Sequence, residues 1–376
     1  MARLLGRTAA ILSVGILGWT MALAAAQPEI DWNKAQRLHQ KFLRGEKLTE
    51  EERAYHDRAA QALRAKGGAE RRPVPPARPF TGLKPLTDMT AGERYKGEDG
   101  GLYGGGKNEP PEKHLQAALQ QAKQIRPLDA EGKPSEDGKV VFVSIGMSNT
   151  TQEFSVFIRL ANADPAKSPK VVIVDGAQGG MTAAAWANPG PRNPWEVLDQ
   201  RLKQAGVTAQ QVQVAWIKEA NAGPANSGEF PKHAEKLKGD MVGLLGKLKD
   251  KFPNLRIAYL SSRIYAGYAR TPLNPEPYAY ESAFVVRWLI RDQIQGDPKL
   301  NFDPAKGEVK SPLLLWGPYL WADGEKGRQA GDLVWKPEDV GPDGTHPSDS
   351  GRRKVAQLLL RFVKNDPTAR LWFAKE

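Results

Sequence analysis

Two short stretches carry the residues whose types and spacing could do chemistry. Ser148 stands at a tight corner, Gly146-Met147-Ser148, after the apolar run Val140, Val141, Phe142, Val143. Near the other end, Asp343 precedes His346 by three residues in Asp343-Gly344-Thr345-His346-Pro347. A carboxylate placed so in a turn can accept from an imidazole Nδ1–H while Nε2 faces outward, as a base for a serine hydroxyl requires. The β-branched run has the length and composition of a buried parallel strand, and Gly146 permits a close turn after it. Asn149, Thr150 and Thr151 are suited to capping the helix that follows. A hydroxyl at a strand's carboxyl end, beside a helix N-terminus, faces free N–H groups that stabilise negative charge on an attacking oxygen. Taken alone, the segment equally suits a serine that merely caps a helix in an ordinary βα turn.

The elements that must position these residues alternate. Strands are expected at 140–144, 171–174, 212–217, 257–261 and 313–316, and helices at 152–160, 195–204, 233–251, 280–294 and 348–363. Such alternation predicts an α/β fold with a mostly parallel sheet and helices on both faces, where ligands bind beyond the strands' carboxyl ends. After the second strand come Asp175-Gly176-Ala177-Gln178-Gly179-Gly180, small residues whose backbone N–H groups can turn toward a neighbouring oxygen. After the third come Lys218-Glu219-Ala220-Asn221, which offer a side-chain donor.

The order Ser148, Asp343, His346 and the short Asp-x-x-His spacing resemble the SGNH (GDSL-like) hydrolases, and within them the sialate O-acetylesterase-like and carbohydrate esterase branch. The resemblance runs roughly over 139–363. Residues 141–149, Val-Phe-Val-Ser-Ile-Gly-Met-Ser-Asn, look like the family's first block with Met147 replacing its usual Asp. Gly179-Gly180-Met181-Thr182 through Trp186 is similar to the second block, and Asp343 to Pro347 to the closing one. The resemblance implies a three-layer α/β/α sandwich with a flavodoxin-like sheet, Ser148 as nucleophile, His346 as base, Asp343 as its orienting partner and Gly179 as an oxyanion donor. The third block departs: its Gly-x-Asn-Asp is absent. Asn221 is then the expected amide donor, whereas alignment on Trp216 puts Lys218 in that place, as a cationic donor or as the partner of a substrate anion or a structural carboxylate. A missing oxyanion donor costs roughly 3 kcal/mol of transition-state stabilisation, which bears on rate more than on reaction class.

The rest of the chain frames this site. Its 376 residues allow one large domain with additions, and 40% hydrophobic with 26% charged residues is ordinary for a soluble protein. Arg3 and Arg7 precede a mostly apolar run, Ala9 to Ala26, ending in an Ala-x-Ala pattern; residues 1–26 read as a secretory signal peptide, with an uncleaved anchor as the alternative. No later segment reads as a membrane span. The chain has no Cys, which excludes disulfides, thiol catalysis and thiolate metal ligation, and no metal or organic cofactor is implied. Its net charge of +11 is scattered among acids, which suits attraction to anionic surfaces or polysaccharides rather than nucleic acid.

The expected organisation is a helical hairpin over 27–66 with a Thr49/Glu52 capping box, a Pro/Arg/Gly-rich linker over 67–80, a loop-rich lead-in with one helix over 81–138, and the hydrolase-like domain over 139–376. His39 and His56 fall on polar faces, His114 near the surface at a helix start, and His233 on a lysine-rich face. The glycines at 100, 101 and 104–106 do not match a phosphate-binding loop and read as a surface loop or a lid over a pocket. Tyr265, Tyr268, Arg263, Glu276 and Tyr280, after the fourth strand, and Trp316, Tyr319 and Trp321, after the fifth, suit either a sugar-binding rim or loops pinned by packing.

The reading that gathers these features is a secreted or periplasmic serine esterase, removing O-acetyl or similar acyl groups from carbohydrate through an acyl-enzyme. A lipid or other acyl ester hydrolase on the same fold, and a non-catalytic glycan-binding or envelope protein, are the competing readings. Oligomeric state is not legible.

Overall fold

β1 (Val140–Gly146) is buried along its whole length, as an uninterrupted apolar run in a sheet covered on both faces must be. The structure is a computed structural model and describes residues 30–43, 48–66 and 77–375. The segment expected as a signal peptide and most of the expected linker lie outside them. Beside β1 run β2 (Val171–Asp175), β3 (Val212–Lys218), β4 (Ile257–Leu260) and β5 (Leu313–Trp316), all parallel, in the order β2-β1-β3-β4-β5. This is the flavodoxin-like order, whose chain reverses direction across the sheet between β1 and β3 and opens a crevice there. All five expected strands form.

Helices cover both faces in a three-layer α/β/α arrangement. α4 (Ser148–Ala163) packs against α9 (Asp349–Asn365), with α10 (Arg370–Phe373) beside it; α7 (Lys232–Lys251) packs against α5 (Ala183–Ala187) and α8 (Tyr278–Ile294). α6 (Pro194–Gln204) leans on β2. Phe142 of β1 meets Phe154 and Phe157 of α4 and Trp372 of α10 edge-on, at ring separations of 5.4, 6.0 and 5.2 Å. Phe154 stacks on Trp216 of β3 at 5.6 Å. Truncating a buried aromatic of this kind costs about 3–5 kcal/mol. The pairing therefore fixes α4, and with it the corner at its start, over the middle of the sheet.

Ahead of the sheet, α1 (Trp32–Leu43) and α2 (Glu50–Lys66) form the expected hairpin. Its capping box is present: Glu52 N–H donates to Thr49 Oγ1 at 3.2 Å and Thr49 N–H to Glu52 Oε2 at 3.0 Å. α1 also packs against α4. The segment after residue 77 holds one helix, α3 (Glu112–Lys123), and is a strap rather than a lid. Thr81 donates to Asp323 from its N–H and hydroxyl at 2.6 and 2.7 Å, Tyr95 and Lys96 donate to Glu281, and Arg287 pairs with Glu98 and Asp99.

Two histidine expectations, for His114 and His233, are corrected, while His39 and His56 gain a partner in each other. His114 is buried, its Nε2 2.8 Å from the Leu314 carbonyl, and burial lowers its pKa. His233 is buried and pairs with Glu281 at 2.6 Å rather than facing water. His39 and His56 meet each other, Nδ1 to Nε2 at 3.0 Å. In each case the partner comes from a distant segment, which no local pattern displays.

Candidate active site

The Ser148 corner is built by close approach. A Cβ on Gly146 would sit 2.3 Å from Thr150 Oγ1 and 2.6 Å from the Lys218 carbonyl, so only glycine lets the first turn of α4 lie on the end of β3. Thr150 completes that contact by donating to the Lys218 carbonyl at 2.7 Å. The helix begins earlier than its polar residues suggested. Ser148 itself is the first helical residue, and Asn149, Thr150 and Thr151 face the sheet and its loops instead of capping. Met147 offers no side-chain cap, so the first N–H groups of α4 remain open.

The loop after β2 is drawn over the same corner. Ser144 Oγ donates to Asp175 at 2.6 Å and accepts from Gly176 N–H at 3.2 Å, while Gln178 N–H donates to the Gly146 carbonyl at 2.9 Å. Gly179 is buried one residue further on, and its carbonyl accepts from Arg192 Nη2 at 3.1 Å. Among the described residues, neither Ser148 N–H nor Gly179 N–H donates to a protein acceptor.

The loop between β5 and α9 brings the remaining groups. Ser148 Oγ lies 2.8 Å from His346 Nε2, and His346 Nδ1 lies 2.6 Å from Asp343 Oδ2. Thr345 N–H and His346 N–H both donate to Asp343 Oδ1 at 3.0 Å, folding the loop around its own carboxylate. Burial raises the Asp343 carboxyl, but the hydrogen bonds from the His346 ring and the two N–H groups outweigh it and hold the group at about 2. An ionised carboxylate only accepts, so Nδ1 carries the ring proton and Nε2 accepts from the Ser148 hydroxyl. Ser148, Asp343 and His346 are all partly open to solvent.

Gly344 sets the path of this loop. Its φ is +64°, and a Cβ there would fall 1.7 Å from the Tyr268 carbonyl oxygen. Arg270 N–H donates to the Asp343 carbonyl at 2.9 Å, and Asn149 Nδ2 donates to the Thr345 carbonyl at 2.9 Å. Asn149, read from sequence only as a cap, therefore ties the serine corner to the histidine loop.

Two expected side-chain donors are placed elsewhere. Asn221 Nδ2 donates to Asp240 at 2.5 Å and its Oδ1 accepts from Ala184 N–H at 3.3 Å, so its amide joins the start of α5 to α7. That engagement, favoured by the charge on Asp240, runs against the expectation that Asn221 faces an oxyanion. Lys218 is fully buried and paired with Glu153 of α4, the structural-carboxylate alternative. Burial lowers Lys218 to about 8, against the attraction of Glu153. Glu153 shares the buried face of α4 with Asn149, Thr150, Gln152, Phe154 and Phe157, and no local pattern in sequence names Lys218 as its partner.

The aromatic stretches are packing. Tyr265 and Tyr268 are buried and donate to the carbonyls of Arg78 and Trp335 at 2.8 and 3.0 Å; Arg263 is buried as well. Glu276 accepts from Ala266 N–H, Trp321 Nε1–H and Tyr280 N–H, and desolvation pushes its carboxyl up to about 7. Trp316, Tyr319 and Trp321 are buried. Among the described residues, no cluster of three or more His, Asp or Glu side chains is arranged to hold a metal ion, and no helix is long and apolar enough to cross a membrane.

No family model matches the chain, and no curated protein matches it. Among solved structures, a lipase from a goat rumen metagenome aligns over 59% of this chain and 97% of its own, with 15% identity and a TM-score of 0.35. LAE5, an alpha/beta hydrolase enzyme from the metagenome of Lake Arreo in Spain, aligns over 63% and 99%, with 14% identity and a TM-score of 0.31. The periplasmic domain of a lipopolysaccharide acetyltransferase from Salmonella ser. Paratyphi A aligns over 67% and 94%, with 12% identity and a TM-score of 0.32. Likenesses this distant carry no argument about what this chain does.

Proposed function

We propose that the protein is an exported serine hydrolase of the SGNH type that removes O-acetyl or similar acyl groups from carbohydrate. One observation carries the reading: the Ser148 hydroxyl, the His346 ring and the Asp343 carboxylate line up at 2.8 and 2.6 Å, all three residues being partly open to solvent. In this mechanism His346 Nε2 takes the hydroxyl proton as Ser148 Oγ attacks the ester carbonyl, and Asp343 stabilises the imidazolium that forms. The open N–H groups of Ser148 and Gly179 receive the oxyanion. His346 then protonates the leaving alcohol, and the acyl group stays on Ser148 until water, deprotonated by the same ring, releases it. With Asn221 engaged by Asp240, two backbone donors carry the oxyanion, and the absent side-chain donor bears on rate rather than on reaction class.

The experiment is a panel of acetylated oligosaccharides and longer-chain acyl esters assayed with the wild type, Ser148→Ala and His346→Ala. Release of acetate by the wild type and its loss in both variants supports the reading. Faster turnover of long-chain esters moves the substrate to lipids, and no turnover together with no labelling of Ser148 by a fluorophosphonate removes the enzyme altogether. Export is checked by N-terminal sequencing of the protein recovered outside the cytoplasm, with Gln27 expected as the first residue.

A further inference from the structure

None of the residues of the α1–α2 hairpin enters the triad, and the hairpin's charges are unevenly spread. Acids gather at the turn between its helices, where Glu50, Glu51 and Glu52 open α2 and Glu52 pairs with Lys41 at 2.9 Å. Cations gather at the other end. Lys34 Nζ lies 4.5 Å from the centre of the Tyr55 ring, and the Arg58 guanidinium lies 5.1 Å from the same ring. Arg37 stands one turn after Lys34 on α1 and is exposed. Among the described residues, none of these three has a carboxylate within ion-pair distance, and Arg58 Nε has no acceptor. The acids beside them are engaged. Asp31 accepts from Asn33 N–H and Lys34 N–H at 2.9 and 3.1 Å, and Asp57 meets His56 at 3.2 Å.

Aromatic rings accompany the cations. Trp32, the first residue of α1, is 37% exposed, and half-buried Tyr55 accepts from Asp31 N–H at 2.8 Å through its hydroxyl. Indole and phenol rings beside lysine and arginine suit a bilayer interface, where the rings sit at headgroup level and the cations meet lipid phosphates. Like charges gathered on one ring also repel each other, and a surface of opposite charge relieves that repulsion. Chain order points the same way. Only Gln27 to Asp31 separate Trp32 from the apolar run Ala9 to Ala26, which, whether cut off or kept, delivers this end of the hairpin to a bilayer. An acidic polysaccharide would satisfy the cations too, but the adjoining run favours lipid.

We propose that this end of the hairpin docks the protein on anionic phospholipid, with Lys34, Arg37 and Arg58 on lipid phosphates and Trp32 at the headgroup boundary. The contact is peripheral, since no described helix is long and apolar enough to cross a membrane. Because α1 packs against α4, whose first residue is Ser148, docking holds the serine corner in a fixed relation to the surface.

The test uses the chain from Gln27, which keeps every described residue, and sedimentation with vesicles of phosphatidylcholine alone or mixed with phosphatidylglycerol. Binding is expected to the mixed vesicles only. It should weaken about fivefold in Arg37→Gln and about a hundredfold in the triple variant Lys34→Gln, Arg37→Gln, Arg58→Gln, the usual scale for cations at an anionic surface. A control triple of remote exposed lysines, Lys203→Gln, Lys299→Gln, Lys306→Gln, changes net charge equally and should leave binding within about twofold. Arg37 has no side-chain partner among the described residues, so its single substitution reads the surface without disturbing the hairpin. Trp32 is the one exposed tryptophan among the described residues, so vesicles with brominated acyl chains should quench its fluorescence, and Trp32→Phe should abolish the quenching. Equal binding to both vesicle types, an equal loss in the control triple, full binding by the hairpin triple, or no quenching overturns the proposal. So does retention on an acidic polysaccharide with no binding to vesicles. None of these readouts depends on ester turnover, so the proposal and the esterase reading stand or fall separately.

Discussion

Asn149 Nδ2 donates to the Thr345 carbonyl across 2.9 Å, so the residue after the serine holds the residue before the histidine. The 2.8 Å contact between Ser148 Oγ and His346 Nε2 is thereby supported from behind by a second bond between the same two segments, 196 positions apart. Asn149 is buried, and its hydrogen bond is shielded from water.

Asn149→Ala removes that tie and leaves the triad side chains in place. Expected is a fall in kcat of about 10- to 100-fold with little change in KM, since misplacing a base by about 1 Å has effects of that size. A urea titration of the same variant should show a loss of about 1–2 kcal/mol for the lost buried bond. A KM effect with unchanged kcat would mean that the residue meets substrate instead.

Asp343 links activity and acid stability. Its folded pKa of about 2 lies below the usual 3.8, so as pH falls the unfolded chain takes up this proton first and the folded state loses its advantage between about pH 4 and pH 2. Across that window the stability difference between wild type and Asp343→Asn should shrink by about 2 kcal/mol in urea titrations, with the wild type the more stable above pH 4. At neutral pH the same variant presents the wrong ring tautomer to Ser148, and kcat should drop by about 10⁴.

Lys218 and Glu153 form a fully buried ion pair, each with no exposed side-chain surface. Lys218→Met takes the ion-pair partner from the buried Glu153 carboxylate and should cost about 3–5 kcal/mol. Lys218→Met combined with Glu153→Leu should recover most of that loss, because two apolar groups of similar size need no partner. Chemical denaturation of the three proteins measures this directly; a double variant no more stable than the single one would show that the pair meets a need besides its own neutralisation.

Gly344→Ala tests the loop path. A left-handed alanine costs about 1–2 kcal/mol by itself, and its Cβ would overlap the Tyr268 carbonyl. The loop must move to admit it, so ester cleavage should fall sharply, with a loss of stability at least as large as the left-handed penalty. Unchanged turnover would detach the Asp343–His346 segment from the β4–α8 connection.

Much of the fold was legible because its signals are local. Each of the five strands is a short apolar, β-branched or aromatic run, and the long helices between and after them show the 3.6-residue period, whereas the five-residue α5 after β2 is too short to show one. Ser148, Asp343 and His346 were legible because short spacings around glycines mark them. What escaped is non-local: His233 reads as solvated until Glu281 is brought to it from 48 residues away, and Asn221 reads as a free donor until Asp240 takes its amide. The tyrosines after β4 match a sugar platform as well as a packed loop, and only the carbonyls of Arg78 and Trp335, supplied by remote segments, distinguish the two.

The strap over residues 81–111 bears on how the chain is made. Thr81 waits for Asp323, which leaves the ribosome 242 residues later, and Ser148 waits 198 residues for His346. Contacts of such long sequence separation form late and slowly. A nascent chain stopped between residues 317 and 345 would have all five strands of the sheet behind it and no His346 to meet Ser148, so synthesis itself keeps this hydroxyl without its imidazole partner until the polypeptide is nearly finished.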